Sequence, residues 1–299
     1  MIVAPGVYTE NLVIGPPRNG VTLQSSGGTA ATILDGNNTS SVITISSVGA
    51  GTVVTGFTIR NGGAANLSGM LGGGIRMNFC SARIEGNVIS GNRAEAAGGV
   101  YVDGGGPILR DNTFQGNTAV GGSGGAIYCD HFAAATIDRN VIVSNTCAAY
   151  GGGITLWDGS YPTISNNTIA LNSASRGGGI FVTRNSHPEL RRNIIASSPT
   201  GGGVWVDDFE STILFACDDV WGNAPNYQGI ADPTGGSGNI SVDPQFCDPS
   251  GADLHLVTTS PCAPANSPAT CDLIGALDPT CRPTASIPMT WGRLKSDYR

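Results

Sequence analysis

Acidic side chains recur along the middle of the chain at intervals that indicate a repeating structure. The candidate catalytic residues in this series are Asp103, Asp130, His131, Asp158, Asp207 and Asp208. Hydrolysis of a glycosidic bond needs two carboxyl groups, one that donates a proton and one that acts as a base or a nucleophile. When two carboxylates lie close together, their repulsion raises the pKa of one of them, which makes a general acid available near neutral pH. Asp130 is the main candidate, because it is central in the series and is followed by His131, which could assist it.

Aromatic and basic side chains accompany these carboxylates. The candidate substrate-binding residues are Tyr101, Tyr128, Trp157, Phe181, Trp205, Arg76 and Arg184. Sugar rings stack their apolar faces on aromatic side chains, while their hydroxyl groups need fixed polar partners. Other interpretations stay open. The rings could stack on one another or be covered by a long loop, and aspartate is common in turns because its side chain satisfies local backbone groups.

The elements that must position these residues form a repeat with a period of about 26 residues. Each period contains a step of two or three glycines before an apolar residue, which is Ile75, Val100, Ile127, Ile154, Ile180 or Val204. Two further markers are asparagines, at Asn87, Asn112, Asn140, Asn167 and Asn193 and at Asn92, Asn117, Asn145 and Asn172. Three markers with one period predict an all-β, single-stranded right-handed parallel β-helix with three short strands in each coil. We expect the asparagines to cap backbone groups at the corners.

Alternation along the strand after each glycine step separates inward from outward side chains. The inward positions are apolar or cysteine, and Cys129 is expected there as a small core residue. The outward column contains Arg76, Tyr101, Tyr128, Thr155, Phe181 and Trp205. Asp103 and Asp130 share the next outward column on adjacent coils, which lie ~4.8 Å apart. The sequence therefore predicts an exposed row of rings beside carboxylates whose separations suit a retaining or an inverting hydrolase.

The sequence divides into three parts. Regular coils are predicted for residues 1–215, terminal coils and a cysteine-rich cap for 216–281, and a proline-containing tail for 282–299. Five of the eight cysteines fall in the last third of the chain at spacings that match no zinc motif, so we expect disulfides there. Cys217 stands roughly where the asparagine of the repeat would be, and the segments 243–248 and 253–256 are interpreted as final coils that close the column.

Charge and hydropathy exclude several classes of partner. The formal net charge is −7 and the chain has a single lysine, Lys295, so binding to a nucleic acid backbone is not expected. No apolar run approaches the ~18 residues of a membrane span. Disulfides indicate an oxidising compartment, and the chain begins inside a strand-like stretch at residues 2–8. We expect a protein secreted by a bacterium or held at its surface, with an export signal upstream of Met1, and make no prediction of oligomeric state.

The Gly-Gly-x-Ile and apolar-x-x-Asn steps resemble the right-handed β-helix repeats of secreted bacterial proteins with a pectate-lyase-like architecture. They are also similar to the repeats of the polymorphic outer-membrane autotransporters, and residues 3–11 resemble the first coil of many such proteins. The resemblance extends over residues 1–280 and implies the fold. It leaves the chemistry open, because this architecture carries lyases, hydrolases, epimerases and adhesins alike.

Three functions therefore stay open. The first is a secreted glycoside hydrolase that cleaves a neutral, β-glucan-like polysaccharide and requires no cofactor, since acidic residues repel polyuronates. The second, implied by the resemblance to pectate lyases, is a lyase or epimerase in which Asp103, Asp130 and Asp158 hold Ca²⁺ and Arg76 or Arg184 is the base. The third is a non-catalytic glycan-binding adhesin. Carboxylates that bracket an open groove would favour an enzyme, and carboxylates held in turn hydrogen bonds would favour a scaffold.

Overall fold

Three long parallel sheets wind into a right-handed β-helix with about 26 residues per turn. The structure is a computed structural model, and it describes residues 1–281. Each sheet contains nine strands, because every coil contributes one strand to each. No helix in this part of the chain is long and apolar enough to cross a membrane.

The three sheets are named A, B and C in the order in which the chain enters them. Sheet A contains Ile2–Val3, Thr22–Ser25, Val53–Thr55, Arg83–Glu85, Ile108–Arg110, Thr136–Asp138, Thr163–Ser165, Glu189–Arg191 and Leu214–Ala216. Sheet B contains Gly6–Thr9, Thr32–Asp35, Thr58–Arg60, Val88–Ser90, Thr113–Gln115, Val141–Val143, Thr168–Ala170, Ile194–Ala196 and Asp219–Trp221. Sheet C contains Leu12–Ile14, Ile43–Ser46, Ile75–Cys80, Val100–Gly105, Ile127–Asp130, Ile154–Leu156, Ile180–Val182, Val204–Val206 and Tyr227–Gln228.

Smaller elements complete the fold. A short parallel ladder follows sheet B in three coils and contains Arg93–Ala94, Thr118–Ala119 and Thr146–Cys147. The C-terminal sheet contains Phe246–Asp248, Asp253–Val257 and Pro279–Cys281. The 3-10 helices of the described residues are Pro16–Arg18 and Pro249–Gly251.

Neighbouring coils pair in register, so the columns predicted from the sequence are true neighbours. Val100 pairs with Ile75 on one side and Ile127 on the other, and Asp103 lies opposite Asp130. The inward residues of all three sheets form one buried apolar column, in which Cys129 is fully buried as expected. The predicted fold class is therefore confirmed.

Two ladders of buried asparagines lie at the corners on either side of sheet B. The main-chain N–H of Asn87 donates to Asn112 Oδ1 at 3.0 Å, and that of Asn112 donates to Asn140 Oδ1 at 3.0 Å. Asn112 Nδ2 also donates to the carbonyl of Ile84 at 2.7 Å. The second ladder repeats this pattern through Asn92, Asn117, Asn145 and Asn172. A buried polar group left unpaired costs ~1–3 kcal/mol, so the asparagines are structural, as expected.

The first ladder continues beyond Asn193 through an aspartate, one residue after Cys217, to Asn239. Asn193 donates its main-chain N–H to Asp218 Oδ1 at 2.9 Å, and Asp218 donates its own to Asn239 Oδ1 at 2.9 Å. Cys217 has a φ of 63°, the left-handed corner conformation that precedes each ladder residue, and it is bonded to Cys271. The ladder residue of this coil is thus Asp218, and Cys217, expected roughly at this place, directly precedes it. Burial raises the pKa of Asp218 to about 7, against the opposing effect of its hydrogen bonds.

After Gln228 the chain adds one parallel bridge to sheet B, between Ile240 and Asp219, and then folds back along the outer face of that sheet. Its strands form an antiparallel pair extended by one parallel strand, so the segments interpreted as final coils do not stack on the preceding coils. Leu254 packs against Val143 and Ala170, two outward residues of sheet B. The two disulfides of this segment are Cys217–Cys271 and Cys247–Cys281. The regular coils thus extend beyond residue 215, and the predicted tail at 282–299 lies outside the described residues.

Candidate functional site

The outward column of sheet C is largely buried, although its side chains point away from the core of the solenoid. Tyr101 is 2 % exposed, Tyr128 is 9 % exposed and Phe181 is fully buried. Trp205 and Arg76, at the two ends of the column, are half-buried. The expected exposed row is therefore wrong for three of its four rings. For these three, covering by a loop is the interpretation that the structure supports.

The glycine steps that define the repeat also close this face. The first glycine of the step has a positive φ, 72° at Gly124 and 62° at Gly177, which turns the preceding loop back over sheet C. A Cβ on Gly124 would lie 2.7 Å from the Cβ of Tyr128, and one on Gly177 would lie 2.8 Å from that of Phe181. Glycine adopts this dihedral angle and allows this approach most easily, and alanine takes the same place in one coil, where Ala97 has a φ of 58°. The outward residues therefore lie between the sheet and its own loops.

Tyr150 is a covering residue that the sequence analysis missed. Its ring stacks on that of Phe181 with centroids 4.7 Å apart and lies 5.9 Å from the ring of Trp157. Arg176, the paired loop residue one coil further on, places its guanidinium 5.8 Å from the Tyr150 ring and 5.6 Å from the Trp205 ring. The signal in the sequence is position, because Tyr150 directly precedes a glycine step and the turn brings it onto the outward face.

Tyr101 holds the carboxylate of Asp130, and Tyr128 packs against Tyr101. Their rings meet edge to face with centroids 5.3 Å apart, and the Tyr101 hydroxyl donates to Asp130 Oδ2 at 3.2 Å. Burial, and after it the negative charge of Asp130, raises the pKa of both tyrosines above the usual value. Both hydroxyl groups therefore stay protonated at neutral pH and remain available as donors.

Four of the predicted site residues, Asp103, Asp130, His131 and Asp158, meet at the corner after sheet C. We call them the carboxylate–histidine cluster. His131 Nδ1 lies 2.9 Å from Asp103 Oδ1 and 3.6 Å from Asp130 Oδ2. Single ligand atoms of Asp130, His131 and Asp158 all lie within 4.8 Å of one another. Asp130 is buried, whereas the side chains of His131 and Asp158 are 53 % and 39 % exposed.

Arg184 borders the cluster and Arg76 does not. Arg184 Nη1 lies 3.7 Å from Asp158 Oδ1, and its guanidinium lies 5.0 Å from the ring centroid of the half-buried Trp157. Arg76 lies two coils before Asp130 and donates from Nε to Asn78 Oδ1 at 3.1 Å. Of the two predicted basic residues, Arg184 is thus the one that the fold brings beside the carboxylates.

Asp207 and Asp208 lie two coils beyond the cluster and have structural partners. Asp207 Oδ1 accepts from Arg176 Nη1 at 2.9 Å and from Trp205 Nε1 at 3.3 Å. Asp208 Oδ1 accepts the main-chain N–H of Ser211 at 2.7 Å. Although burial opposes it, the hydrogen bonds of this turn hold the pKa of Asp208 below its usual value. Because its carboxylate is held in the hydrogen bonds of a turn, Asp208 fits a structural role rather than a catalytic one.

The cluster offers two kinds of chemistry. Two carboxyl groups ~5 Å apart have the separation found in retaining glycoside hydrolases. Carboxylate oxygens together with one imidazole nitrogen are also ligands for a divalent cation. Asp103 fixes the His131 ring by pairing with Nδ1, which leaves Nε2 free to accept or donate a proton.

Two exposed rings lie beside the cluster, and neither was predicted as a binding residue. Phe79 is 65 % exposed and Phe132 is 68 % exposed. We call these two residues the corner rings. The Phe79 ring lies over Gly104, and the Phe132 ring lies over Gly159. The signal is a bulky residue at a corner where the paired residue of the next coil is glycine, which indicates a left-handed backbone that phenylalanine rarely adopts.

Comparison with known proteins supports the fold and adds no specific function. The family model described as right handed beta helix region matches residues 7–169 and 73–245, which together cover most of the chain. No curated protein and no solved structure matches. The match indicates a fold like that of pectate lyases and glycoside hydrolases. With the coils, ladders and register described above, it shows that the chain belongs to the right-handed β-helix family.

Proposed function

We propose that the protein is a secreted glycoside hydrolase that cleaves a neutral, β-glucan-like polysaccharide at the carboxylate–histidine cluster. The observation that carries the proposal is the approach of Asp130 and Asp158, whose carboxylate oxygens lie within 4.8 Å of each other and of the His131 ring. This separation suits a retaining mechanism, in which one carboxyl group attacks the sugar and the other protonates the leaving oxygen.

The partners of Asp130 fit the role of nucleophile. Tyr101 donates to its Oδ2, and the main-chain N–H of His131 donates to its Oδ1 at 2.9 Å. Donors on both oxygens stabilise a charged carboxylate, which is the form that attacks. They also hold the carboxylate in one orientation, which a displacement at a single carbon requires.

Asp158 is then the acid, and His131 is its neighbour in proton transfer. The side chain of Asp158 is 39 % exposed, so it can reach the leaving oxygen of a polymer bound at the surface. The His131 ring is oriented by Asp103 and has a free Nε2, which can exchange protons with solvent. General acid catalysis of this kind contributes ~10²–10⁴-fold to the rate.

Charge favours a neutral substrate. The cluster contains three carboxylates, Arg184 is a cation beside them, and the chain as a whole carries a formal charge of −7. A polyuronate would meet repulsion at this site, whereas a neutral glycan would not. An extracellular location agrees with this substrate, and the two disulfides of the C-terminal segment support it, because such bonds persist in oxidising compartments.

A Ca²⁺-dependent lyase or epimerase is the second candidate, because Asp130, His131 and Asp158 are spaced as metal ligands. Asp103 could add a further oxygen ligand. A bound cation would polarise the carboxylate of a uronic acid, and Arg184 is the basic side chain beside the cluster that could take a proton from it. The residues thus fit a bound cation. For Ca²⁺, however, an imidazole ligand is less usual than a set of oxygen ligands.

The test is cleavage of mixed-linkage β-glucan, xylan, galactomannan and polygalacturonate by the wild type and by Asp130→Asn, Asp158→Asn and Asp111→Asn. Asp111 is a matched control, since it is an exposed aspartate paired with Arg139 at another corner. We expect reducing ends from a neutral polymer with and without chelator, and a loss of ~10²-fold or more in the two cluster variants alone. Azide should restore turnover to Asp130→Ala, in which the shortened side chain leaves room for the anion to replace the nucleophile.

Two other outcomes would overturn the proposal. Unsaturated, ultraviolet-absorbing products that disappear with chelator would identify the metal-dependent lyase. Binding of a glycan without any cleavage would identify a non-catalytic adhesin, the third function considered from the sequence.

A further inference from the structure

The corner rings are exposed, and neither burial nor the backbone accounts for them. Phe79 has a φ of 43° and Phe132 a φ of 58°. In this left-handed region a side chain costs roughly 1–2 kcal/mol relative to the ordinary region, and glycine does not pay this penalty. Phenylalanines that are about two-thirds exposed recover little of this by burial. Positive φ values recur at the corners of this chain, but Phe79 and Phe132 combine one with an apolar ring that is left in solvent, and this combination points to a function for the side chain.

The fold does not require a ring at this corner. Gly104 is the residue of the next coil that faces Phe79, and Gly159 is the one that faces Phe132. A Cβ on Gly104 would lie 2.8 Å from Phe79 Cε1, and one on Gly159 would lie 2.5 Å from Phe132 Cε1. Each ring thus has a glycine beneath one edge that makes room for it and limits its movement. Both rings are supported on the protein side and exposed on the solvent side.

Phe79 lies in the coil before Asp103, and Phe132 lies in the middle coil of the cluster. Phe132 directly follows His131, and the His131 carbonyl lies beside Gly104, on which Phe79 rests. Phe79 and Phe132 belong to coils two steps apart, a distance of ~9.6 Å along the solenoid axis. That distance is close to the length of two β-1,4-linked pyranose units. The rings are therefore spaced to contact alternate sugars of one chain that runs parallel to the axis.

We propose that Phe79 and Phe132 are stacking subsites for a long, neutral, β-linked glycan that lies along this corner. The inference rests on the proposed function and deepens it, because it defines the substrate as a polymer and its direction as parallel to the solenoid axis. The rings contact the apolar faces of the sugars, and the exposed polar groups of His131, Asp158 and Arg184 face their hydroxyl groups. The carboxylates of the cluster, which lies beside the rings, select a neutral chain over a polyuronate.

The experiment is affinity electrophoresis of the whole protein in gels that contain mixed-linkage β-glucan, xylan, galactomannan or polygalacturonate. It compares the wild type with Phe79→Ala/Phe132→Ala and with Leu214→Ala. Leu214 is a matched control, because it is an exposed apolar residue of sheet A, away from this corner. We expect the double variant to lose about tenfold or more in affinity for one neutral polymer, and the control to keep it.

A second pair of variants keeps the inference testable if the double variant does not fold. Phe79→Trp and Phe132→Trp enlarge the stacking surface, and each should raise affinity for the same polymer. Unchanged affinity in all ring variants overturns the inference. A change in sedimentation of Phe79→Ala/Phe132→Ala would assign the rings to contact between copies of this chain and would also overturn it.

The outcomes separate this inference from the proposed function. If Asp130→Asn abolishes cleavage while the ring variants bind the polymer normally, the hydrolase stands and the ring subsites are wrong. If the rings determine affinity and the wild type cleaves nothing, the subsites stand and the hydrolase is wrong.

Discussion

The outward face of sheet C and the corner that follows it belong to the same coils, yet the face is closed and the corner is open. On the face, Tyr128 and Phe181 lie beneath loops that turn back at a glycine. At the corner, Phe79 and Phe132 are exposed beside the carboxylate–histidine cluster. In a β-helix, a side chain that points out of the column is therefore not necessarily exposed, because the loop before each strand decides whether it is covered.

The largest expected difference between the closed face and the open corner is in the free energy of unfolding. Phe181→Ala removes a fully buried ring that stacks on Tyr150, and we expect the free energy of unfolding to fall by ~3–5 kcal/mol. Phe132→Ala removes an exposed ring and should change the free energy of unfolding by less than ~0.5 kcal/mol. Urea denaturation followed by fluorescence measures both. Equal losses in the two variants would show that the face and the corner are packed alike.

The buried carboxylate of Asp218 makes the stability of the fold depend on pH. Burial raises the pKa of Asp218 to about 7, and the usual value is 3.8, so folding favours its protonated form. Its contribution to stability is fully present below about pH 4 and is lost as the pH rises through about 7. Asp218→Asn should therefore raise the free energy of unfolding at pH 8 by ~2–4 kcal/mol and leave it nearly unchanged at pH 4.

Asparagine is a suitable replacement at this position, since Asn193 occupies the preceding rung of the same ladder. Denaturation curves at pH 4 and pH 8 test the prediction. Asp219, whose pKa burial also raises to about 7, stays in both proteins, so the variant should keep part of the pH dependence. A variant no more stable than the wild type at pH 8 would show that Asp218 is not strained by its charge.

A pair of glycines separates the requirement for φ from the requirement for space. Gly124 and Gly116 both have positive φ values, 72° and 63°. A Cβ on Gly124 would meet the carbonyl of Ile127 at 2.6 Å, whereas one on Gly116 would meet nothing within 4 Å. Gly124→Ala should cost ~2 kcal/mol or more, and Gly116→Ala only ~1 kcal/mol, in thermal denaturation. Equal costs would mean that the loop over Tyr128 is not closely packed.

The smallest effect concerns the backbone at the open corner. Phe79→Asn places a residue that tolerates the left-handed region where phenylalanine does not. We expect the free energy of unfolding to stay the same or to rise by ~0.5 kcal/mol, while affinity for the polymer falls. Circular dichroism melting measures the first quantity. A marked loss of stability would show that the Phe79 ring is structural.

The repeat made most of the fold predictable. Glycine steps and asparagine ladders recur with one period, and each has a local cause: a left-handed corner or a buried main-chain group that needs a partner. The pairing of Asp103 with Asp130 followed directly from that register. The folding of the C-terminal segment over sheet B did not, because its contacts with Val143 and Ala170 link residues far apart in sequence.

The candidate site was predictable in part. The columns of equivalent positions placed Asp130 and His131 at one corner. The alternation of inward and outward residues along a strand does not show, however, which outward side chains a loop covers. The side chain of Tyr150 and the close approach of Gly124 decide that burial, and both depend on the path of the loop. The corner rings were missed for the same reason, since the strand pattern ends just before the residues where the chain turns.

Two aspartates test the central claim that function lies at the open corner. Asp158 and Asp207 have side chains of similar exposure, 39 % and 36 %, and each is paired with an arginine. The measurement is kcat/KM for the release of reducing ends from the cleaved neutral polymer by Asp158→Asn and by Asp207→Asn. The account predicts a loss of ~10²-fold or more for Asp158→Asn and little change for Asp207→Asn, with both variants as stable as the wild type. Full activity in Asp158→Asn, or an equal loss in both variants, would contradict it.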